Sequence, residues 1–576
     1  MTTRREWLAT FTAPAAVAAF AAASGVARAE PAKPGRIEGP PPDLGARVYN
    51  VRDFGAKGDG KALDTAALQA AVDACAADGG GVVLAPAGVF QIGTVELKSN
   101  VTLRLAAGAT LLGSGDGRQY HAVDAIPLTG DSTLIDGNWA LLFAVGARNV
   151  SVEGPGAIDG QGHLFHSPVR GATPPSGIGG PKRPYHLLFH RCENVRVRDI
   201  DLLDCAFHSV RIIQSRRIHL DGIYIHNRVN SNNDGFHFIS AEYVTLSNSV
   251  VLAQDDACAM FGSCKFITVT NCVFSTRWSV FRFGGGHAEN IAVSNCVLRQ
   301  VYGCPIKLQG NPGSRYENFS FSNLVLDDVT GPIHIGVGPR PARRVDPAAP
   351  PRAPAGIDPA NGLPLTDAPP VLRNFSFSNI HGTVTTTARE LPEAKVASTP
   401  FPGELHSAIV LNCVGDAVME NISLDNVHLT FGGGGTMEEA ARRDLPRIAG
   451  EYFMLGSIPA YGLYARGVRG LSLQNVRFQF STPDQRPAVI FDRVTDAAIN
   501  GLSVQADPGA ESALRFIDSQ DVLVSAARVL TPTPAFLQVE GAESASIKVD
   551  GGDIARAATP VVLRNGSRRA AVRLRG

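Results

Sequence analysis

The chain has 576 residues with 53 basic and 53 acidic side chains, so its formal net charge at pH 7 is zero. This balance lacks the basic excess expected of proteins that bind nucleic acids or anionic membrane surfaces. The chain is long enough to build a large core, and its nine cysteines are odd in number and include no Cys-x-x-Cys pair. They therefore indicate neither a disulfide framework nor a zinc site.

The N-terminus has the pattern of a twin-arginine export signal. Arg4 and Arg5 precede an alanine-rich stretch, and the Ala-Arg-Ala at 27–29 suits a signal peptidase. We expect residues 1–29 to be removed on export to the periplasm or the exterior of a bacterial cell. The remainder carries 50 basic and 52 acidic residues. No later stretch approaches the ~20 continuous apolar residues that a membrane span needs.

After a predicted linker at 30–45, residues 46–576 form the predicted main domain, which begins with a helix. In "LDTAALQAAVDACAADGGG" (63–81), Asp64 suits a helix N-cap, and the glycines end the helix. Leu68, Val72 and Cys75 recur at helical spacing. Alternating strands follow in "GVVLAPAGVFQIG" and "NVTLRLAAGATLLGS". The helix would cover the open end of these strands.

A repeated phrase, apolar-x-apolar-x-Asn-x-apolar, organises the middle of the chain. It occurs as "VTLSNSV", "ITVTNCV", "IAVSNCV" and "FSFSNLV", with Asn248, Asn271, Asn295 and Asn323 at intervals of 23, 24 and 28 residues. Strict alternation predicts strands, and a period of 20–30 residues indicates a solenoid rather than a propeller or a sandwich. We therefore predict an all-β fold, a single-stranded right-handed parallel β-helix, in which each Asn lies at a turn and bonds to the coils above and below.

The same phrase continues downstream at wider intervals. Asn379, Asn426 and Asn475 follow at 56, 47 and 49 residues, close to two periods each with inserted loops. The insertions are predicted at about 338–370, which is rich in proline, and at 431–460, with a short helix at 436–444. On a solenoid such loops build out one rim of a groove.

Three aspartates stand at the interval of one coil. Asp234 follows a double Asn in "SNNDG", and Asp255 and Asp256 are adjacent in "QDDACAM". Asp255 comes 21 residues after Asp234. In a solenoid these carboxyls become neighbours, and like charges raise one another's pKa, so one tends to hold a proton. Glycoside hydrolysis needs such a split between a protonated and an ionised carboxyl. An Asp/Asn turn ladder and a calcium site are the alternatives.

Other side chains on nearby coils are candidates for binding the substrate. Basic groups beside the acids would suit an anionic sugar such as a uronate. The candidates are His208, His237, Arg277, Trp278, Arg282, Lys307 and His334.

These motifs resemble glycoside hydrolase family 28, the polygalacturonase and rhamnogalacturonan-hydrolase group. "SNNDG" stands where the family has Pro-Asn-Thr-Asp-Gly, and "QDDACAM" where it has Gly/Gln-Asp-Asp-Cys. "GPGAIDGQG" (154–162) and "SIPAYGLYARGV" (457–468) are also similar to members of the family. The resemblance covers roughly residues 46–480.

The resemblance implies inverting hydrolysis of an α-linked pectic sugar, without a metal or other cofactor. Asp255 would be the general acid, and Asp234 with Asp256 would hold the attacking water. The chain departs from the family in two places. Arg277-Trp278-Ser279 stands where the family has Gly-His-Gly, and Pro305-Ile306-Lys307 where it has Arg-Ile-Lys. His287, in "GGGH", falls beyond the strand and is interpreted as unrelated to the site.

Two other functions stay open at the level of sequence. A polysaccharide lyase would use calcium at the acids and Arg282 or Lys307 as a base. A glycan-binding β-helix would carry a relict site. In each case the expected partner is an oligo- or polysaccharide. The protein is expected to be a monomer.

Overall fold

The computed structural model describes residues 47–121, 139–165, 183–339, 364, 366–395 and 400–575. The predicted export signal and linker, and most of the proline-rich insertion at 338–370, lie outside these residues. Within them the chain winds as a parallel β-helix, and every strand pairing that joins successive coils is parallel. Each coil contributes one strand to a front sheet and one or two strands to the rear of the solenoid.

The front sheet is a single ladder of 15 strands among the described residues. In chain order these strands are Val95–Glu96, Ala140–Val145, Tyr185–His190, Val210–Ile213, Phe236–Ile239, Cys258–Phe261, Ser279–Gly284, Cys304–Gly310, Ile333–Val337, Ile409–Cys413, Leu463–Arg466, Val489–Asp492, Leu514–Ile517, Thr533–Glu540 and Ala557–Arg564.

The rear consists of two ladders that are fused where a coil makes one long strand. The first rear ladder contains Val48–Asn50, Gly81–Ala85, Val101–Leu105, Arg148–Glu153, Glu193–Arg198, Arg216–Asp221, Glu242–Ser247, Lys265–Thr270, Arg469–Gln474, Thr495–Asn500 and Val572–Arg575. The second contains Asp59–Leu63, Gly88–Ile92, Ala109–Gly113, Ala157–Asp159, Asp201–Leu203, Tyr224–Asn227, Val250–Ala253, Val273–Thr276, Arg477–Thr482 and Ser503–Val504. The long strands that span both are His287–Val301, Arg315–Val329, Val371–Val384, Val418–Gly433, Gln520–Val529 and Ala545–Asp553.

The asparagine of the repeated phrase lies at the turn between the two rear ladders, as predicted. Asn323 adopts a left-handed backbone, with φ of 54°, which asparagine tolerates better than most residues. Its Nδ2 donates to Asn295 Oδ1 at 3.0 Å, and its Oδ1 accepts from Asn379 Nδ2 at 3.0 Å. Side-chain amides therefore link one coil to the next along the outside of the solenoid.

The wide intervals downstream are single coils, so the expectation of two periods each is wrong. Ser322 pairs directly with Ser378, and Ser378 pairs with Asp425, which places Asn323, Asn379 and Asn426 on consecutive coils. The additional residues therefore do not add a coil.

The helix Thr65–Ala77 forms where the sequence predicts it, and Leu68, Val72 and Cys75 are buried beneath it. Asp64 stands at its N-cap position, but its carboxylate accepts from the backbone N–H groups of Lys57 and Gly58 at 2.7 and 2.9 Å. The acid therefore fixes the preceding turn against the helix.

The insertion predicted at 431–460 begins after the strand Val418–Gly433. It contains the short helix Met437–Ala441, capped by Thr436, and the 3₁₀ turn Tyr452–Leu455. The other 3₁₀ turns are Val51–Phe54, Gly117–Gln119, Gly162–Leu164, Glu404–His406 and Arg569–Ala571. All nine cysteines are free and buried, which agrees with the absence of a disulfide framework.

Candidate active site

The three aspartates lie in the loops that lead into two consecutive front strands. Phe236 pairs with Cys258, so Asp234 and Asp256, each two residues earlier, stand in register on adjacent coils. The N–H of Gly235 donates to the carbonyl of Asp256 at 3.0 Å, and the N–H of Asp255 donates to the carbonyl of Asn233 at 3.2 Å. The acid directly in line with Asp234 is thus Asp256, one residue further than the 21-residue spacing suggests.

A buried asparagine shapes the loop that carries Asp234. Asn233 accepts from the N–H groups of Val229 and Asn230 at 3.0 and 2.6 Å, and its Nδ2 donates to the carbonyls of Cys205 and Phe207, each at 2.9 Å. With donors and acceptor all engaged, the side chain ties the loop to the previous coil. Sequence reasoning took this residue only as a marker of the motif.

Two stacked histidines hold the Asp234 carboxylate. His237 Nδ1 lies 2.8 Å and His208 Nε2 3.5 Å from Asp234 Oδ2, and the two rings are nearly parallel with centroids 4.4 Å apart. Burial, reinforced by nearby cationic side chains such as Arg211, lowers the pKa of both histidines well below the usual value. They are therefore neutral rings, of which His237 donates its Nδ1–H to the buried carboxylate while His208 lies beside the same oxygen.

His208, Asp234 and His237 also have the composition of a metal site, with ligand atoms within 4.8 Å of one another. The tautomer of His208 opposes that interpretation. Arg211 Nη1 lies 3.2 Å from His208 Nδ1, and because arginine can only donate, Nδ1 accepts and Nε2 carries the proton. The nitrogen that faces Asp234 then has no lone pair for a metal ion, so the cluster fits a hydrogen-bonded support of Asp234.

Asp255 and Asp256 have contrasting surroundings. Asp255 Oδ1 accepts from the Asp256 N–H at 2.9 Å, and its Oδ2 accepts from Asn232 Nδ2 at 3.3 Å, contacts that suit an ionised carboxylate. Asp256 is only 7% exposed, and burial raises its pKa despite the opposing effect of Lys307 and Arg282. Within the acid cluster (Asp234, Asp255 and Asp256), burial thus acts on Asp256 in the direction that favours its protonated form.

Basic side chains continue along the front sheet beside the acid cluster. Arg282 pairs with Lys307, and Lys307 pairs with His334, so the three occupy one row on successive coils. Their strand neighbours Phe281, Phe283, Ile306 and Leu308 all face the core. The row therefore points outward, as the predicted binding role requires.

A glutamate from the insertion lies across this row. Glu451 Oε1 is 3.1 Å from Arg282 Nη2, and Glu451 Oε2 is 3.0 Å from Lys307 Nζ. Burial alone would raise the pKa of Glu451, but Lys307 and Arg282 together lower it to about 2. Sequence reasoning missed Glu451, because nothing within the insertion marks which residue returns to the front sheet.

Arg277 forms an ion pair with another residue of the protein, Glu404. Its guanidinium lies 3.2 Å from both carboxylate oxygens of Glu404 and also donates to the carbonyl of Tyr302. Arg277 is 4% exposed and Glu404 1% exposed, so the pair is buried. The structure therefore places Arg277 beneath the groove, holding the segment around Glu404.

Trp278 is part of an aromatic cluster above the basic row. Its ring centroid lies 5.6 Å from that of Phe401 and 6.1 Å from those of Tyr452 and Phe453. Lys307 Nζ lies 4.7 Å from the Trp278 centroid. The insertion at 431–460 and the segment before the strand Ile409–Cys413 thus bring aromatic rings close to the lysine.

His334 and His287 differ in location. His334 Nε2 donates to the carbonyl of Gly450 at 3.2 Å, and burial lowers its pKa to about 4. His287 begins the rear strand His287–Val301, where its Nε2 lies 3.5 Å from Glu289 Oε2. His287 is therefore far from the acid cluster in the coil, as its position in the sequence predicts.

The region that carries these residues is similar to known proteins. The model of the family "Glycosyl hydrolases family 28" matches residues 75–339, which include the acid cluster and the basic row. An exo-poly-alpha-D-galacturonosidase of Dickeya chrysanthemi is 29% identical over 251 residues, 37% of this chain and 41% of its own length. A polygalacturonase of Malus domestica is 26% identical over 307 residues, 50% of this chain and 62% of its own length.

The fold has a solved counterpart. The family 28 exopolygalacturonase of Yersinia enterocolitica superposes with a TM-score of 0.54 and 18% identity, covering 78% of each chain. The segment 75–339 is therefore similar to glycoside hydrolase family 28. The chain spans 41% and 62% of the length of the two curated relatives.

Proposed function

We propose that the protein is an exported glycoside hydrolase that cleaves an α-glycosidic bond of a pectic poly- or oligosaccharide with inversion. The observation that carries the proposal is the acid cluster, in which Asp256 has a raised pKa beside carboxylates that accept hydrogen bonds. General acid–base hydrolysis requires such a pair of protonated and ionised carboxyls. The names of the relatives, which are galacturonan hydrolases, support a pectic substrate.

In the proposed mechanism one carboxyl protonates the leaving oxygen while the others orient and deprotonate a water molecule. Asp234 suits the second role because His237 donates to its carboxylate and His208 lies 3.5 Å from the same oxygen. The carboxyl that donates the proton and the carboxylate that deprotonates the water need to lie roughly 6.5–9.5 Å apart, so that a water molecule fits between the base and the sugar.

The test is product analysis on defined oligosaccharides from homogalacturonan and rhamnogalacturonan. Proton NMR of the first-formed anomer reports inversion in the same sample. Saturated products with the inverted anomer support the proposal. Retained configuration, or unsaturated products that need calcium, would contradict it.

The identity of the proton donor needs a second experiment. The family resemblance assigns the donor to Asp255, whereas burial favours the proton on Asp256. We expect Asp255→Asn and Asp256→Asn each to lower kcat by about 10²–10⁴ on a natural substrate. On an aryl glycoside whose leaving group needs no protonation, only the variant of the true donor regains activity.

The lyase alternative conflicts with the ion pairs of the basic row. A base must lose its proton before it can abstract one from the sugar. Arg282 and Lys307 both contact the Glu451 carboxylate, at 3.1 and 3.0 Å, so proton abstraction by either would require that contact to be broken. The hydrolase proposal uses neither residue as a base.

A further inference from the structure

One row of charged side chains on the rear of the solenoid alternates in sign from coil to coil. The strand register aligns these residues, which in chain order are Glu193, Arg216, Glu242, Lys265, Glu289, Glu317, Arg373, Glu420 and Arg469. The alternation breaks at one step of this row, where Glu289 pairs with Glu317. Like charges opposite one another on adjacent strands are destabilising, so this step favours a cation between the two carboxylates.

His287 lies at this step. It stands two residues before Glu289 on the strand His287–Val301, so the two side chains point to the same face, and Ala288 between them is buried in the core. His287 Nε2 lies 3.5 Å from Glu289 Oε2 and 3.8 Å from Glu317 Oε2. The ligand atoms of the three residues all lie within 4.8 Å of one another.

The distances from His287 are longer than those of a charged hydrogen bond. A protonated histidine would donate to a carboxylate at about 2.7–2.9 Å. The Nε2 atom is shielded from solvent and has no hydrogen-bond partner within the part of the chain that the structure describes. Around a tetrahedral zinc ion with bonds of about 2.0–2.2 Å, ligand atoms lie roughly 3.3–3.6 Å apart. The observed separations are close to that spacing.

Two cations hold the other oxygen of each carboxylate. Lys265 Nζ lies 2.9 Å from Glu289 Oε1, and Arg315 Nη2 donates to Glu317 Oε1 at 2.9 Å. Both glutamates are thus oriented with Oε2 toward His287, in the way that outer contacts orient the ligands of metal sites. The side chains of His287, Glu289 and Glu317 are 39%, 23% and 20% exposed, so an ion can enter from solvent.

We propose that His287, Glu289 and Glu317 bind a divalent transition-metal ion of the zinc class, each through one ligand atom. Imidazole together with carboxylates suits zinc, whereas calcium takes oxygen ligands. The ion joins two successive coils across the segment that contains the front strand Cys304–Gly310. It takes no part in the proposed hydrolysis, because its ligands are on rear strands and the acid cluster is in loops that lead into front strands.

The experiment titrates Zn²⁺ into the full chain, prepared without an affinity tag, and follows binding by calorimetry. We expect one Zn²⁺ ion per chain to bind at this site. Since each ligand holds the ion directly, His287→Gln and Glu317→Gln should each weaken this binding by about tenfold or more. Crystals soaked in Zn²⁺ should show an anomalous peak at the zinc absorption edge within about 2.0–2.2 Å of the three ligand atoms.

Two variants on the same rear surface serve as matched controls. His219→Gln removes an exposed histidine whose Nδ1 lies 3.0 Å from the hydroxyl of Thr245. Glu420→Gln removes a glutamate of the same row that contacts Arg373 and Arg469. Both variants should bind Zn²⁺ as the wild type does.

The proposal is overturned if Zn²⁺ does not bind, if His287→Gln binds it as tightly as the wild type, or if Glu420→Gln weakens binding as much as Glu317→Gln. An anomalous peak at other side chains and none at His287 would also overturn it, even where a variant fails to fold. His287 would then be only an ion-pair partner of the two glutamates. None of these outcomes bears on the proposed hydrolysis, which is measured on oligosaccharides.

Discussion

The buried pair of Arg277 and Glu404 gives a sharp test of what an arginine near the acid cluster does. Its position in the sequence predicts that Arg277 binds the substrate, whereas the structure pairs it with Glu404 beneath the groove. Arg277→Met would leave the Glu404 carboxylate with only the N–H of Phe401 at 2.8 Å and the hydroxyl of Thr330 at 3.2 Å.

Removing one partner of a buried ion pair costs roughly 3–5 kcal/mol, because the other charge stays desolvated. We expect Arg277→Met to lower the free energy of unfolding by that amount. The urea midpoint should fall accordingly, and the dependence of the free energy on urea concentration should stay unchanged. The double variant Arg277→Met/Glu404→Gln should be more stable than Arg277→Met alone, since no uncompensated charge remains.

The matched control is Arg299→Met, which removes an exposed arginine 3.8 Å from Asp327. Exposed pairs contribute about 0–1 kcal/mol, so this variant should unfold almost like the wild type. The reasoning is refuted if Arg277→Met keeps the wild-type midpoint and raises only KM, because Arg277 would then act on the substrate.

Two further predictions concern pH and the outer amides. Burial lowers the folded pKa of His334 and of His186 to about 4, whereas an unfolded histidine titrates near 6.5. The unfolded state therefore binds more protons in this window, so stability is complete above about pH 6.5 and falls as the pH approaches 4. Urea midpoints across this range should show that fall, and His334→Gln should make it shallower; an unchanged slope would contradict the assignment. Asn379 exchanges amide hydrogen bonds with Asn323 and Asn426 at 3.0 and 2.8 Å. Asn379→Ala should cost about 1–3 kcal/mol, and Asn379→Gly less by about 1 kcal/mol because glycine accepts the left-handed backbone freely. Equal urea midpoints for the two variants would argue against a strained backbone there.

The sequence reveals which residues lie close together only where they are separated by the length of one coil. The repeated phrase predicted the strands and the turn asparagines, because a β-helix stacks equivalent positions at a constant spacing. For the same reason the sequence predicted that Asp234 lies close to Asp255 and Asp256. The error over the downstream coils has the same origin, since an inserted loop lengthens the interval without adding a coil.

The tertiary structure alone decided which partners the site residues have. Glu404 and Glu451 reach Arg277 and Arg282 from 127 and 169 residues away along the chain. No local pattern marks a residue whose environment is made by a loop folding back on the sheet. Burial is likewise a property of the assembled coils, and it is burial that raises the pKa of Asp256. The sequence by itself thus predicted that the three aspartates come together, because they follow the period of the coil, while the partners of the basic residues depend on segments that fold back onto the sheet.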